Sequence, residues 1–230
     1  MTNIMDRFKL DGRVALVTGG AGLLGRGFCR TLAEAGAAVV VADKNKIEAE
    51  KVVAEISTAG KALAVEVDVT QADSVRAMAA AAKKKFGRLD VLVCCAALDP
   101  KFDPHLGGSY ELDFEHYPLE SWRQALDVNL TGAFLSAQAA APLMLEQGGG
   151  VMVMIASIYG LTAPDQRIYR DPQKPPQYKP AYYPASKAGL LGLTRYLAAY
   201  YAGRGIRVNA LTPGGVFNDH EAFFEREYST

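Results

Sequence analysis

The sequence predicts an α/β protein in which a doubly wound parallel sheet lies between two helical layers, a three-layer α/β/α arrangement. Three observations point there. Short, β-rich apolar runs alternate with longer helical patterns along the whole chain. Those runs are apolar on both faces rather than alternating, as expected of strands covered by helices on each side. The composition is that of an ordinary globular protein, with half of the 230 residues hydrophobic and 22% charged.

Taken in order, Val14-Ala15-Leu16-Val17-Thr18 reads as a buried strand, followed by a glycine-rich turn and a helix from about Leu23 to Ala35. Ala37 to Ala42 gives the second strand and Asn45 to Thr58 a charged amphipathic helix. Ala62 to Val67, then a helix over Ser74 to Phe86, then Leu89 to Cys95 continue the alternation. After an irregular stretch, a helical pattern runs from about Leu119 to Gln147. Val151 to Ala156 is the fifth strand, Tyr183 to Ala202 a helix, and Ile206 to Leu211 the sixth strand. With no internal repeat and no dividing linker, residues 1–230 read as a single domain.

Several classes are disfavoured. A formal net charge of zero gives no general pull toward nucleic acid or an anionic membrane surface. No apolar run reads as long enough to span a bilayer, and the first ten residues carry Asp6, Arg7 and Lys9 without a signal-type core behind them. Three cysteines, two of them adjacent at Cys94 and Cys95, fit a reducing compartment better than a disulfide framework. A cytoplasmic location is expected. His105 and His116, eleven apart in an irregular stretch, make no recognisable metal site, and none is expected.

Two motifs carry chemistry. Tyr183-Pro184-Ala185-Ser186-Lys187 sets a phenol and an ammonium four residues apart, on one face of a helix. A lysine there is expected to draw the phenol's pKa down from ~10 toward working pH, readying it for proton exchange with an alcohol or carbonyl. Tyr182 competes, but its partner four residues on is Ser186, which favours Tyr183. The second motif is the first strand-to-helix turn, Thr18-Gly19-Gly20-Ala21-Gly22-Leu23-Leu24-Gly25. Glycines at 19, 22 and 25 allow a tight turn and let a pyrophosphate approach free amides at a helix N-terminus. Asp43, at the end of the second strand, suits the ribose hydroxyls of NAD and would repel the 2′-phosphate of NADP. Lys44 and Lys46 lie next to it and soften that preference.

With both motifs in place, the chain resembles the short-chain dehydrogenase/reductase family, with its Rossmann fold, over Leu10 to Val216. The resemblance implies a catalytic set of Ser157, Tyr183, Lys187 and Asn129, the last in Val128-Asn129-Leu130-Thr131-Gly132. Tyr183 would be the general acid/base, Ser157 would orient the substrate oxygen, and Lys187 would hold the nicotinamide ribose. Asn129 would help place the lysine. The implied cofactor residues are Gly19, Gly22, Leu23, Leu24, Gly25, Asp43, Asp68, Val69, Cys95, Ala96, Pro213, Gly214 and Val216, with Tyr183 and Lys187. The resemblance further implies a small-molecule substrate and a homo-oligomer, dimer or tetramer.

Departures from the family pattern sharpen the reading. Cys94-Cys95-Ala96-Ala97 stands where many members have Asn-Asn-Ala-Gly, and buried cysteine serving as a small hydrophobe is preferred to redox control. Leu23 within the glycine motif and the 26 positions separating Ser157 from Tyr183 are similar to the extended branch of the family, while the length suits the shorter one. The added length forms insertions at about 98–118 and 161–181. Between Pro164 and Pro180 there are four cations and two anions, so Arg167 and Arg170 become candidates to grip a phosphate or carboxylate on the substrate. The alternative is a solvated, proline-stiffened loop. Phe102, Tyr110, Phe114 and Tyr117, in the first insertion, would cover the substrate or a subunit contact. The insertions are similar to those of oxidoreductases of flagellin-glycan and nonulosonic-acid sugar biosynthesis. After Val216 the usual further helix and seventh strand are missing, so six strands are expected and one pocket wall incomplete.

Two functional readings follow. One is an NAD(P)-dependent oxidoreductase acting on a secondary alcohol or ketone of a sugar or sugar derivative, with a sugar-acid or polyol dehydrogenase or a keto reductase as its variants. The other is a catalytically silent NAD-binding sensor or scaffold, which would have no need of the proton-transfer set.

Overall fold

The structure, a computed structural model, describes residues 4–56, 61–99, 113–173, 177–218 and 222–229. Its centre is a parallel sheet of six strands: β1 (Val14–Thr18), β2 (Ala38–Asp43), β3 (Ala62–Glu66), β4 (Val91–Cys94), β5 (Gly150–Ile155) and β6 (Ile206–Leu211). The strand order is β3-β2-β1-β4-β5-β6. Chain direction reverses its march across the sheet between β1 and β4, the crevice where doubly wound sheets bind ligands.

Seven α-helices occur among the described residues: α1 (Leu23–Glu34), α2 (Lys46–Ile56), α3 (Ala72–Phe86), α4 (Leu119–Leu126), α5 (Gly132–Glu146), α6 (Tyr182–Tyr200) and α7 (Ala222–Ser229). Two apolar clusters, one on each face, fix the layers. Leu16, Val40, Leu92 and Met152 point to one face, with Met144 and Leu190 packed over them. Ala15, Val17, Val39 and Val41 point to the other, against Cys29 and Val52. Every residue of β1 is buried on one face or the other, which is why its sequence shows no alternation. Each fully buried Val or Leu contributes about 1.5–3 kcal/mol.

Helix α3 shows how local sequence sets a boundary. Lys83, Lys84 and Lys85 occupy its last turn, favourable at the negative end of the helix dipole. Gly87 then takes the left-handed conformation (φ 79°) and donates its N–H to the carbonyl of Lys83.

β4 starts two residues later than the sequence suggests, and just before it stands a buried polar knot at Asp90. Its carboxylate accepts from Arg88, from Arg13 and from the backbone N–H of Val14, fastening the start of β1 to the entry of β4.

The helix expected over Leu119 to Gln147 is continuous but contains a π turn at Asp127–Thr131. Contrary to the expectation that no run is long enough, the 28 residues of Leu119–Glu146 meet the length and composition of a membrane span. Ala137, Ala140, Ala141 and Met144 of this stretch belong to the core cluster, the pattern of an interior helix in a globular protein.

Candidate active site

A cleft of about 1120 Å³ opens at the carboxyl ends of β1, β4 and β5. At one end lies the glycine turn. Gly19 adopts φ 65°, and a Cβ there would stand 2.7 Å from the Cα of Ala96, so the turn after β1 and the loop after β4 press together. Gly25 lies as close to the turn beneath it, where a Cβ would meet Gly20 Cα at 2.8 Å. Gly22 caps α1 without a side-chain hydrogen bond, leaving the first amides of that helix to an external acceptor. These are the features a dinucleotide pyrophosphate requires, and the residues present fit one.

The carboxylate of Asp43, at the end of β2, accepts the N–H groups of Ala21 (3.0 Å) and Asn45 (2.9 Å), which fixes it at the rim of the cleft. Asp68 accepts from the N–H and hydroxyl of Thr70, and these bonds, led by the hydroxyl, hold its pKa below the usual range against burial. Lys44 pairs with Asp68 at 3.6 Å rather than standing free beside Asp43. Thr18 was not singled out by sequence, yet its hydroxyl accepts the N–H of Cys95 at 3.2 Å and so positions the loop after β4.

At the other end, Ser157, Tyr183 and Lys187 line the cleft together. Ser157 caps the short 3-10 turn Ile158–Gly160, accepting from Tyr159 N at 3.2 Å. That turn must lie flush on α6, since a Cβ on Gly160 would meet the backbone of Lys187 at 2.8 Å. Ser157 is thus both the strand-end cap and a hydroxyl that lines the cleft with the Tyr183 phenol. Lys187 is 4% exposed, and its Nζ donates to the carbonyl of Ile155 at 2.8 Å.

The electrostatics differ from the expectation that Lys187 would draw the phenol down. Burial, reinforced by the negative charge of Asp99, pushes the Tyr183 phenol up to about 12, with Ser157 pulling the other way. Burial also lowers the Lys187 ammonium to about 8. The lysine's Nζ lies 5.5 Å from the centre of the Tyr183 ring and is engaged by a backbone carbonyl, so desolvation dominates.

Asn129 sits behind this set, 1% exposed and outside the cleft lining. It accepts the N–H of Leu98 (2.7 Å) and donates to the carbonyl of Leu98 (3.2 Å) and to Ser186 Oγ (3.3 Å). Ser186 in turn donates to the carbonyl of Tyr183. Asn129 therefore ties the loop after β4 to the first turn of α6, and no hydrogen bond from it to Lys187 is among those recorded.

All the other residues predicted for the cofactor and for catalysis line the cleft, the loop of Pro213, Gly214 and Val216 among them. Tyr182 does not; it is wholly buried against Tyr117, their ring centres 6.0 Å apart. Arg167 and Arg170 do not line it either. Arg167 closes a bidentate pair on Asp165 two residues away, and Arg170 lies over the ring of Tyr178. From the same insertion, Lys179 and Tyr169 enter the cleft instead.

Phe224 and Tyr228 of α7 also line it, with Tyr228 accepting the N–H of Gly215, so α7 supplies an aromatic wall where the sequence suggested a gap. Lys179 precedes Tyr183 by four residues but lies outside α6, so that spacing carries no helical meaning.

His105, Phe102 and Tyr110 lie outside the described residues. His116 is an exposed side chain against Asp113, and no group able to hold a metal occurs among the described residues. Cys94 faces Ala133 in one core cluster while Cys95 packs against the other, and burial raises their thiols to about 12 and about 11. Both behave as small apolar residues.

A phosphate-cradling turn and a phenol, hydroxyl and ammonium in one crevice define an oxidoreductase that uses a nicotinamide dinucleotide. Comparison with known proteins agrees. Residues 13–228 match the short chain dehydrogenase family, and the chain belongs to it. It is 36% identical over 219 residues to the D-threitol dehydrogenase of Mycolicibacterium smegmatis, covering 94% of this chain and 75% of that protein. It is 40% identical over 204 residues to the cis-4-hydroxycyclohexanecarboxylate dehydrogenase of Sinomonas cyclohexanicum, covering 88% of this chain and 72% of that protein. Among solved structures, a short-chain type dehydrogenase/reductase from Mycobacterium marinum superposes with a TM-score of 0.79 at 34% identity, covering 93% of this chain and 78% of the other. The narrower likeness to flagellin-glycan and nonulosonic-acid enzymes is not reflected in the names of these relatives.

Proposed function

We propose that the protein is an NAD-dependent dehydrogenase of secondary alcohols in polyols or sugar derivatives, with Tyr183 as general acid/base. The observation that carries this reading is the meeting of Ser157, Tyr183 and Lys187 in the cleft that also holds the glycine turn. When bound, the dinucleotide supplies the hydride acceptor for oxidation and the donor for reduction. Tyr183 Oη takes the hydroxyl proton in oxidation and returns one to the carbonyl oxygen in reduction. Ser157 Oγ donates to the same substrate oxygen and fixes its approach. Lys187, with its pKa at about 8, is mostly charged at neutral pH and stabilises negative charge building on the phenol. The Asp43 carboxylate, held at the rim by two backbone amides, favours NAD by repelling a 2′-phosphate. The substrates named for the threitol and hydroxycyclohexanecarboxylate relatives support an alcohol on a small polyol or ring as the reacting group.

The test is NADH formation over a panel of polyols and cyclic alcohols, with NADP run in parallel. Tyr183→Phe is expected to lower kcat about 10²–10⁴-fold while NADH binding and melting temperature hold. Tight NAD binding with no turnover on any alcohol would favour the silent sensor instead.

A further inference from the structure

The proton-transfer set leaves one charged pair of the cleft unused. Lys179 and Asp99 both line it, and Lys179 Nζ lies 3.2 and 3.1 Å from the two carboxylate oxygens of Asp99. The same ammonium stands 4.1 Å from the centre of the Tyr183 ring, closer than Lys187. Lys179 comes from the insertion between Ser157 and Tyr183, and Asp99 from the loop after β4.

The placement is built rather than incidental. The side-chain amide of Gln166 accepts the N–H of Lys179 at 2.9 Å and donates to its carbonyl at 3.1 Å. This two-way clamp returns the insertion to the cleft. Beside it, the hydroxyls of Tyr159 and Tyr169 stand 3.1 Å apart, and the Tyr159 ring meets Tyr183 edge-on.

The side chain of Lys179 is only 7% exposed. A buried ion pair is a poor device for stability, because desolvation of the two charges offsets most of their attraction, and apolar replacements often do as well. A pair facing a cleft does something else: it presents an oriented donor, largely desolvated at Lys179, beside a part-buried acceptor at Asp99. The two charges are opposite, so a phosphate or carboxylate attracted by Lys179 would be repelled by Asp99. A hydroxyl satisfies both, donating to the carboxylate and accepting from the ammonium.

We propose that Lys179 and Asp99 form a polyol subsite, holding a second substrate hydroxyl near the carbon that is oxidised and selecting vicinal diols over simple secondary alcohols. This rests on the dehydrogenase reading above. It also moves substrate recognition from Arg167 and Arg170 to a different residue of the same insertion.

The experiment compares kcat/KM for cyclohexanol and for its vicinal diol, and for sorbitol and its phosphate ester, in the wild type, Lys179→Met and Asp99→Asn. Because Lys179 lies on the Tyr183 ring, both alcohols are expected to slow in its variant, and the readout is the diol-to-monool ratio. The wild type is expected to favour the diol and free sorbitol, and either substitution to lower the ratio about tenfold or more, as loss of a charge-assisted hydrogen bond does. Binding of NADH by fluorescence and the melting temperature report on folding. Should a single variant fail to fold, Lys179→Met with Asp99→Leu leaves no unpaired buried charge and gives the same ratio test. A ratio untouched by the substitutions, or a wild-type preference for the phosphate ester, would overturn the subsite and leave the dehydrogenase reading intact. A wild type that binds NADH but oxidises no alcohol overturns the dehydrogenase reading, and the subsite with it.

Discussion

Two glycines of α1, two residues apart and so on different sides of the helix, should respond in opposite directions to the same substitution. Gly25 is buried, and an alanine Cβ there would come within 2.8 Å of Gly20 Cα and 2.9 Å of Gly19 C. Gly27 is exposed with nothing within 4 Å. Both sit inside the helix, so Gly→Ala gains about 0.5–1 kcal/mol of backbone stability at either position. At Gly27 nothing opposes the gain, and the melting temperature should rise by about 2–4 °C. At Gly25 the obstacle is backbone, which cannot rotate aside, and overpacking costs about 1–3 kcal/mol. The net is a loss of about 1–2 kcal/mol, and the atoms displaced belong to the turn that cradles the pyrophosphate. NADH affinity should therefore fall, each ~1.4 kcal/mol of displacement costing about tenfold. Urea unfolding and NADH fluorescence titration of the two variants measure both effects. If Gly25→Ala proves as stable as Gly27→Ala and binds NADH as tightly as the wild type, the packing account of the turn is wrong.

Two further outcomes are expected. Alcohol oxidation needs the Tyr183 phenolate beside a charged Lys187, with the phenol up at about 12 and the ammonium at about 8, so kcat/KM for oxidation should climb from about pH 6 and level off above about pH 8 while that for reduction, which needs the neutral phenol, stays level over the climb; a flat oxidation profile between about pH 6 and about pH 8 contradicts the assignment. Cys29, Cys94 and Cys95, with thiols raised to about 12, about 12 and about 11, should react slowly with a disulfide reagent at about pH 8 in the folded protein and promptly in denaturant, and rapid labelling of the native protein would count against their burial.

Much of the fold was legible because its signals are local. β1 and β6 have the bounds their patterns suggest, β1 as an uninterrupted apolar run and β6 as Ile206 and Val208 alternating with Arg207 and Asn209. The tie of Asp90 to Arg13 and Val14 was not legible, because those partners lie far away in sequence. The site was legible where a motif carries its own geometry, as at Gly19 and Tyr183. It was not where tertiary structure decides. Arg167 looked available, but Asp165 two residues away satisfies it. Lys179 is separated from α6 by Pro180, so its spacing from Tyr183 gave no helical reason to expect it there; the Gln166 clamp brings it back. The direction of the Tyr183 shift turned on burial, which spacing does not report.

The π turn at Asp127–Thr131 holds one residue more than an α-helix would need over the same rise. Loss of one residue from that stretch would let the ladder close as ordinary helix with the downstream face still in phase, because the bulge absorbs the extra residue. Loss of a residue from the first turn of α5 has no such slack and would turn everything beyond it by about 100°, swinging Ala137, Ala140 and Met144 off the sheet together. Asn129 is itself one of the five residues of the π turn, so closing it would take the amide from Leu98. The extra residue thus serves the placement of Asn129, while α5 keeps its phase on the sheet.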